Sequence, residues 1–319
     1  MSKVIAILAS DLHLSATPPP ARAGEPDWFA AQKRPLQELQ KLSSEYDAWI
    51  IYAGDIFDRW NSSPEVINFA IDNLPRGYSI YGNHDLPNHS AAELNRSAYC
   101  VLAKSGILWD VGSKTSWDGK WVGGEAVDGS FLISPDLCIY AFPWGRELTP
   151  CPDERNGDYV RLAVVHKYIW TAGHSFPGAT DATAVAAYRP LLAGYDAAVF
   201  GDNHKGFYAP SLTHGGCNII NTGGFMRRKS DEEFYKPMVG LLKLDGTIQP
   251  HYLDQSQDIF EATKAVKQTE TSVEMSAFLQ ELMEVEQDSL DFREAVRRCL
   301  EIRPLTDSVR QRVLAALGG

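Results

Sequence analysis

Five short apolar runs in this chain end on polar residues of the same chemical kind, and that recurrence constrains the fold more than any other feature. The run 4–9 leads into Asp11-Leu12-His13, and the run 48–53 into Gly54-Asp55-Ile56-Phe57-Asp58. The run 78–81 reaches Gly82-Asn83-His84-Asp85, 161–165 meets His166, and 197–200 meets Gly201-Asp202-Asn203-His204. Runs this brief and continuous, bounded by Gly or polar residues, predict buried strands. In an open α/β sheet the carboxyl ends of the strands line one edge, where ligands bind. The five ends therefore bring three Asp, one Asn and three or four His to one place.

Helical patterns separate the early runs. Trp28, Phe29, Leu36, Leu39 and Leu42 recur at roughly helical spacing, Pro64 opens a second amphipathic segment through Leu74, and a third helix is expected over 90–104. The second half is richer in strands, at 137–142, 161–165, 197–200, 217–220 and 239–244, with Asp245-Gly246 as a hairpin turn into 248–253. This rhythm predicts an α/β layered sheet with helices on its outer faces. Residues 15–27 hold Pro18, Pro19 and Pro20 and are expected to form a loop without regular structure. From about Gln255 the chain is charged and helix-favouring, with Gly only at its last two positions. The reading is a catalytic domain over 1–254 and a helical appendage over 255–319, acidic in its first half and arginine-rich in its second.

The converging side chains are a metal-ligand set. Carboxylate and amide oxygens with neutral imidazoles suit two divalent ions of intermediate hardness, such as Mn²⁺ or Fe²⁺, with Mg²⁺ and Zn²⁺ as alternatives. Asp-x-His puts two ligands on one side of an extended chain, and the two oxygens of Asp55 allow it to bridge two ions about 3.5–4 Å apart. Without cations such a cluster of carboxylates would repel itself. The five cysteines are scattered with no Cys-x-x-Cys pair, so neither a disulfide framework nor a zinc ribbon is indicated. No stretch approaches the ~20 apolar residues of a membrane span, and the short apolar run at 4–9 is too brief for a secretory leader. A cytoplasmic location is the expectation.

The order Asp-x-His, Gly-Asp-x-x-Asp, Gly-Asn-His-Asp, His, Gly-x-x-His resembles the calcineurin-like metallophosphoesterases over roughly residues 3–253. The resemblance implies a four-layer α-β-β-α sandwich and a dinuclear metal centre. Carried over position by position, Asp11, His13 and His204 would hold the first metal, Asp55 the bridge, and Asn83, His166 and Asp202 the second metal. His84 matches the family histidine that protonates the leaving oxygen or steadies the transition state, and Asp85 would orient it. The run Asn221-Thr222-Gly223-Gly224 matches a turn that lines the family's cleft. Asp202 departs from the pattern, standing where a His is usual, and is read as a ligand that shifts the site toward harder ions.

Within the family, Asp85 in place of a Glu and the Ser62-Ser63-Pro64 helix start resemble the Mre11/SbcD-type nuclease branch, as does Gly82-Asn83-His84-Asp85 before a helix of modest length. That implies a DNA exo- or endonuclease, with DNA as substrate, a SbcC/Rad50-like ATPase partner and a homodimer as further expectations. A nucleotide phosphodiesterase or phosphatase is the alternative, and a metal-binding scaffold without catalysis a third reading. Arg59, Arg227 and Arg228, with Lys229, are the candidate phosphate contacts. His89, His174, His214 and His251 read as surface or hydrogen-bonded histidines, and Trp28-Phe29, Trp109 and Trp144 as core or helix-packing residues. With 30 Lys and Arg against 41 Asp and Glu, the net charge of −11 excludes a simple basic nucleic-acid coat. Two bound divalent ions would offset part of that charge at the site itself.

Overall fold

The computed structural model describes residues 2–113, 126–127, 130–152, 158–213 and 215–261. Thirteen strands are formed among them: β1 Val4–Ala9, β2 Trp49–Ala53, β3 Gly77–Ile80, β4 Leu108–Asp110, β5 Ala126–Val127, β6 Ser130–Ser134, β7 Leu137–Phe142, β8 Val160–His166, β9 Ala197–Gly201, β10 Phe207–Ala209, β11 Asn218–Asn221, β12 Met238–Lys243 and β13 Ile248–Tyr252. Four α-helices join them: α1 Trp28–Tyr46, α2 Pro64–Asn73, α3 Ala98–Ser105 and α4 Val185–Tyr188.

The strands make two mixed sheets, ordered β13-β12-β1-β2-β3-β4 and β10-β11-β9-β8-β7-β6-β5. Within each, the strands that end on motif residues run parallel: β1 beside β2, β2 beside β3, and β8 beside β9. Their carboxyl ends therefore share an edge. Alternation along each strand divides the apolar residues between two layers. On β1, Ala6 and Leu8 face the second sheet while Ile7 and Ala9 face the helices. On β8, Leu162 and Val164 face the first sheet while Ala163 and Val165 face outward. Both faces of these strands are buried, as a parallel sheet covered on both sides requires. The result is the four-layer α-β-β-α sandwich that the motif order implied.

Local chemistry sets the helix boundaries. The Asp27 side chain accepts from the Ala30 N–H and starts α1, and Pro64 occupies the first turn of α2, where its missing N–H costs nothing. The single helix expected over 90–104 is instead two pieces, a 3₁₀ stretch Ala91–Arg96 and then α3. The break falls at Ser97, whose hydroxyl accepts from the Cys100 N–H at 3.1 Å and caps a new helix. β4, β5, β6 and β10 lie outside the expected strands. They span two to five residues, and β4 and β6 also carry polar residues, which hides their period.

The loop at residues 15–27 holds one 3₁₀ turn, Pro20–Arg22, and is fixed by charge. Arg22 is fully buried, 2.5 Å from Glu25 and 2.9 Å from Asp258. Arg34 joins the same two acids. The Ile259 N–H donates to Glu25 and the Glu261 N–H to the Ala21 carbonyl. Residues 255–261 are thus packed on the catalytic body, beyond the boundary drawn at 254. The appendage from residue 262 onward lies outside the described residues, as does His214. Among the described residues no helix is long and apolar enough to cross a membrane.

Candidate metal centre

The five motif segments meet at the shared strand edge. Asp11, His13, Asp55 and His166 are buried, Asn83 and His204 partly so, and His84 is exposed at the mouth. The first two segments are laced together, with Asp11 N–H donating to the Gly54 carbonyl, His13 N–H to Asp55 and Leu14 N–H to Ile56. The Asp202 N–H donates to Asp11 Oδ1 at 3.0 Å and the His84 N–H to Asp55 Oδ1 at 3.0 Å. Phe225 and Gly224, after the Asn221-Thr222-Gly223 turn, donate to the carbonyls of Asp11 and His204.

This assembly requires unusual backbone. Asp11, His13, Asp55 and Asp202 all have positive φ, between 47° and 80°. A non-Gly residue in the left-handed region costs about 1–2 kcal/mol, so the strain collects where the ligand-type side chains are. Gly54 and Gly82 are required for a different reason, close approach. A Cβ at Gly54 would stand 2.3 Å from His166 Nδ1, and one at Gly82 would stand 2.1 Å from Asp55 Oδ1.

Three clusters place their ligand atoms within 4.8 Å of one another: Asp11, His13 and His204; Asp11, Asp55 and His166; and His13, Asp58 and His84. His13 Nε2 faces His204 Nε2 at 3.0 Å and lies 3.6 Å from Asp55 Oδ2. His166 Nδ1 is 2.7 Å from the Ala53 carbonyl, which only accepts, so Nδ1 carries the proton. Nε2 is aimed at Asn83 Oδ1 at 3.0 Å and Asp55 Oδ1 at 3.5 Å, two oxygens that a positive charge at this position, a ring proton or a cation in its place, would satisfy. The buried His13 Nδ1 also has no hydrogen-bond partner. The donor set fits divalent ions of the oxygen- and imidazole-binding kind.

Charge is divided unevenly across the site. Burial holds His13 well below the usual imidazole range despite Asp55. Burial, then the Lys229 ammonium, pushes His204 down to about 3. Burial also opposes a charged His166, but Asp55, Asp11 and Asp202 outweigh it and lift that ring to about 10. Burial would raise Asp55, yet His166, His84 and His13 hold it below the carboxylate range. Asp11 rises to about 7, mainly through burial.

The remaining site expectations fare differently. Asp85 does not orient the His84 ring. It is fully buried and accepts from the N–H groups of Gly82, Phe57 and Ile56, so it fixes the loops that carry the other residues. The His84 ring is set instead by Asp58, whose carbonyl is 2.8 Å from Nδ1. Asp58 had no assigned role, although the Gly-Asp-x-x-Asp spacing contains it. Arg228 reaches the same place: it donates to the His13 carbonyl and, at 2.6 Å, to Asp58 Oδ1. Both ends of its fork are thus occupied.

Arg227 points elsewhere, toward Asp258 at 3.5 Å and over the Phe260 ring, and is not placed to meet a phosphate. Arg59 is exposed, without an ion pair among the described residues. The Asp202 carboxylate is half-buried and outside the three clusters. His251 bonds Glu38 at 3.0 Å, and the His174 ring lies against Phe207. Trp144, read as a core or helix-packing residue, is half-buried and packs against the core beneath the first sheet, its ring centroid 6.4 Å from that of His166 and its backbone N–H on the Tyr81 carbonyl.

A family profile described as calcineurin-like phosphoesterase matches residues 6–206. No curated protein matches the chain. Among solved structures, a dimetal phosphatase from Danio rerio is similar at 10% identity and a TM-score of 0.45, over 76% of this chain and 94% of that one. A 5'-nucleotidase from Staphylococcus aureus, described there as putative, is similar at 11% identity and 0.43, over 87% and 58%. A calcineurin-like phosphoesterase from Bacillus subtilis is similar at 12% identity and 0.42, over 95% and 99%.

Proposed function

The chain belongs to the calcineurin-like phosphoesterase family, and from that premise we propose that it hydrolyses phosphodiester bonds at a dinuclear metal centre, as a DNA nuclease of the Mre11/SbcD type. The observation that carries this reading is the convergence of Asp11, His13, Asp55, Asn83, His166 and His204 on one buried point beside an exposed His84. Asp11, His13 and His204 would hold one ion and Asn83, His166 and Asp202 the other, with the Asp55 carboxylate available to both. When bound, the ions supply Lewis-acid charge to the phosphoryl oxygens and make water a competent nucleophile at neutral pH.

The protein's own residues do the rest. The Asp58 carbonyl fixes the His84 tautomer with its proton on Nδ1. Burial works against a charged His84, but Asp55 and Asp58 outweigh it and raise the ring's pKa from its ordinary value, which favours the protonated form that the leaving oxygen needs. Arg228 holds Asp58 and the His13 carbonyl in place and stiffens the base of that acid. The Asp85 carboxylate pins the loops of the second and third motifs to one another.

The net charge of −11 favours a second reading, a nucleotide phosphodiesterase or phosphatase, because a long polyanion would be held weakly. One assay separates the two. With Mn²⁺ the wild-type protein should degrade single- or double-stranded DNA and His84→Ala should not. Cleavage of bis-p-nitrophenyl phosphate without any of DNA selects the nucleotide reading, and no phosphodiester cleavage at all contradicts both.

A further inference from the structure

We propose that Lys205 and Lys229, gathered on the ring of Phe176 at the His204 side of the centre, form a subsite for a second phosphate of the substrate, adjacent to the phosphoryl group that is cleaved. The inference rests on the phosphoesterase reading above and narrows its substrate class to polyanionic esters.

Three observations support it. The first is position. Lys205 follows His204 in the chain, and Lys229 follows Arg228, whose guanidinium reaches the His13 carbonyl and Asp58. The second is how the ammonium groups are held. Lys205 Nζ lies 4.6 Å and Lys229 Nζ 5.3 Å from the Phe176 ring centroid, and Lys205 also donates to the Ser175 carbonyl at 2.7 Å. A ring face and a carbonyl restrain an ammonium without cancelling its charge, whereas a carboxylate would cancel it. The third is what they lack. Among the described residues neither lysine pairs with a carboxylate, while Lys167 nearby pairs with Glu147 at 3.5 Å. In a chain with 41 acids and 30 bases, two unneutralised ammonium groups on one ring beside the site are not the default.

The geometry also explains why the neighbouring arginines do not serve. Arg228 spends both ends of its fork on His13 and Asp58, and Arg227 faces Asp258. Of the basic run, Lys229 alone is left to meet solvent at that rim. The ligand chemistry is a phosphate dianion or diester, either the next link of a nucleic-acid strand or the terminal phosphate of a nucleotide.

The test compares substrates with and without the second phosphate. Wild-type, Lys205→Ala, Lys229→Ala and the double variant are assayed on bis-p-nitrophenyl phosphate, on trithymidylate and on a 5'-phosphorylated dithymidylate. KM for the last two should rise roughly fivefold per lysine, about the worth of one exposed charge contact, and clearly more than for bis-p-nitrophenyl phosphate. A rise with only the 5'-phosphorylated substrate assigns the subsite to nucleotides, and one with trithymidylate assigns it to strands; both support it. Equal losses on all three substrates, or no change on any, overturn it. Binding decides the matter separately from catalysis. The anisotropy of fluorescein-labelled trithymidylate, with Ca²⁺ present, should lose about 0.7 unit of salt slope in the double variant, the share of one phosphate on a single strand. An unchanged slope overturns the subsite, whereas wild-type binding with that slope but no hydrolysis of any substrate overturns the phosphoesterase reading and leaves the subsite standing.

Discussion

His13 and His166 stand at nearly the same distance from one carboxylate, 3.6 and 3.5 Å from the two oxygens of Asp55, and yet they carry opposite charge tendencies. Both are buried, which opposes a proton on either ring. The difference lies in their other neighbours. Around His13 stand His204, His84 and Arg228, which all repel a second positive charge. Around His166 stand Asp11 and Asp202 in addition to Asp55, which attract one. One half of the centre therefore offers bare lone pairs, and the other holds a proton in their place. The lesson is that ligand type and distance do not set the readiness of a site; the next layer of charge does.

Removing the shared element should break the comparison most completely. Asp55→Asn takes the carboxylate from both halves, leaves the His84 N–H a weaker acceptor and strips His166 of its main attraction. Loss of a metal clamp removes several kcal/mol of transition-state stabilisation, so kcat should fall by about a thousandfold or more, together with bound metal measured by elemental analysis.

A smaller effect is expected from Arg228→Ala, which leaves Asp55 intact. The variant frees Asp58 and the His13 carbonyl and should lower kcat roughly tenfold or somewhat more, the worth of a charge-assisted hydrogen bond. Lysine should not restore it, since one ammonium lacks the two-pronged fork. Arg227→Ala serves as the contrast: its melting temperature should drop while kcat stays within about twofold, because its partner Asp258 belongs to the network with Arg22 and Arg34.

The smallest effect tests the charge difference itself. A ring whose pKa is raised must give up its proton before a cation can use its lone pair, so affinity at the His166 half should rise with pH and level off above about 10. The His13 half has no imidazole proton to lose near neutral pH. Calorimetric titration with Mn²⁺ in two buffers of different ionisation enthalpy should show more protons released at the His166 half than at the other, whose group titrating near neutrality is Asp11, raised to about 7. Equal proton release from both would remove the distinction.

The convergence of the centre was legible in the sequence because strand ends in a parallel sheet must share an edge, and each motif sits at one. Direction was not legible. Asp85 belongs to the Gly-Asn-His-Asp run, but its carboxylate turns inward to three N–H groups while its neighbour His84 turns out. Arg227 and Arg228 adjoin in the chain and part company because the Glu232 carboxylate accepts the N–H groups of Arg228 and Lys229, fixing the backbone there. Lys205 carries no motif and gains its meaning only from Phe176, which lies 29 residues away in the chain. The broken helix at Ser97 and the short strands β4, β5, β6 and β10 escaped for a simpler reason: a cap or a run of two to five residues gives too little period to read.

The most direct test of a two-sided centre is metal stoichiometry by equilibrium dialysis against Mn²⁺ near neutral pH, followed by elemental analysis. Wild-type protein should retain two ions per chain, while His204→Ala and Asp202→Ala, each confined to one half, should retain one. A wild-type protein that saturates at one ion, or variants that still hold two, would contradict the account.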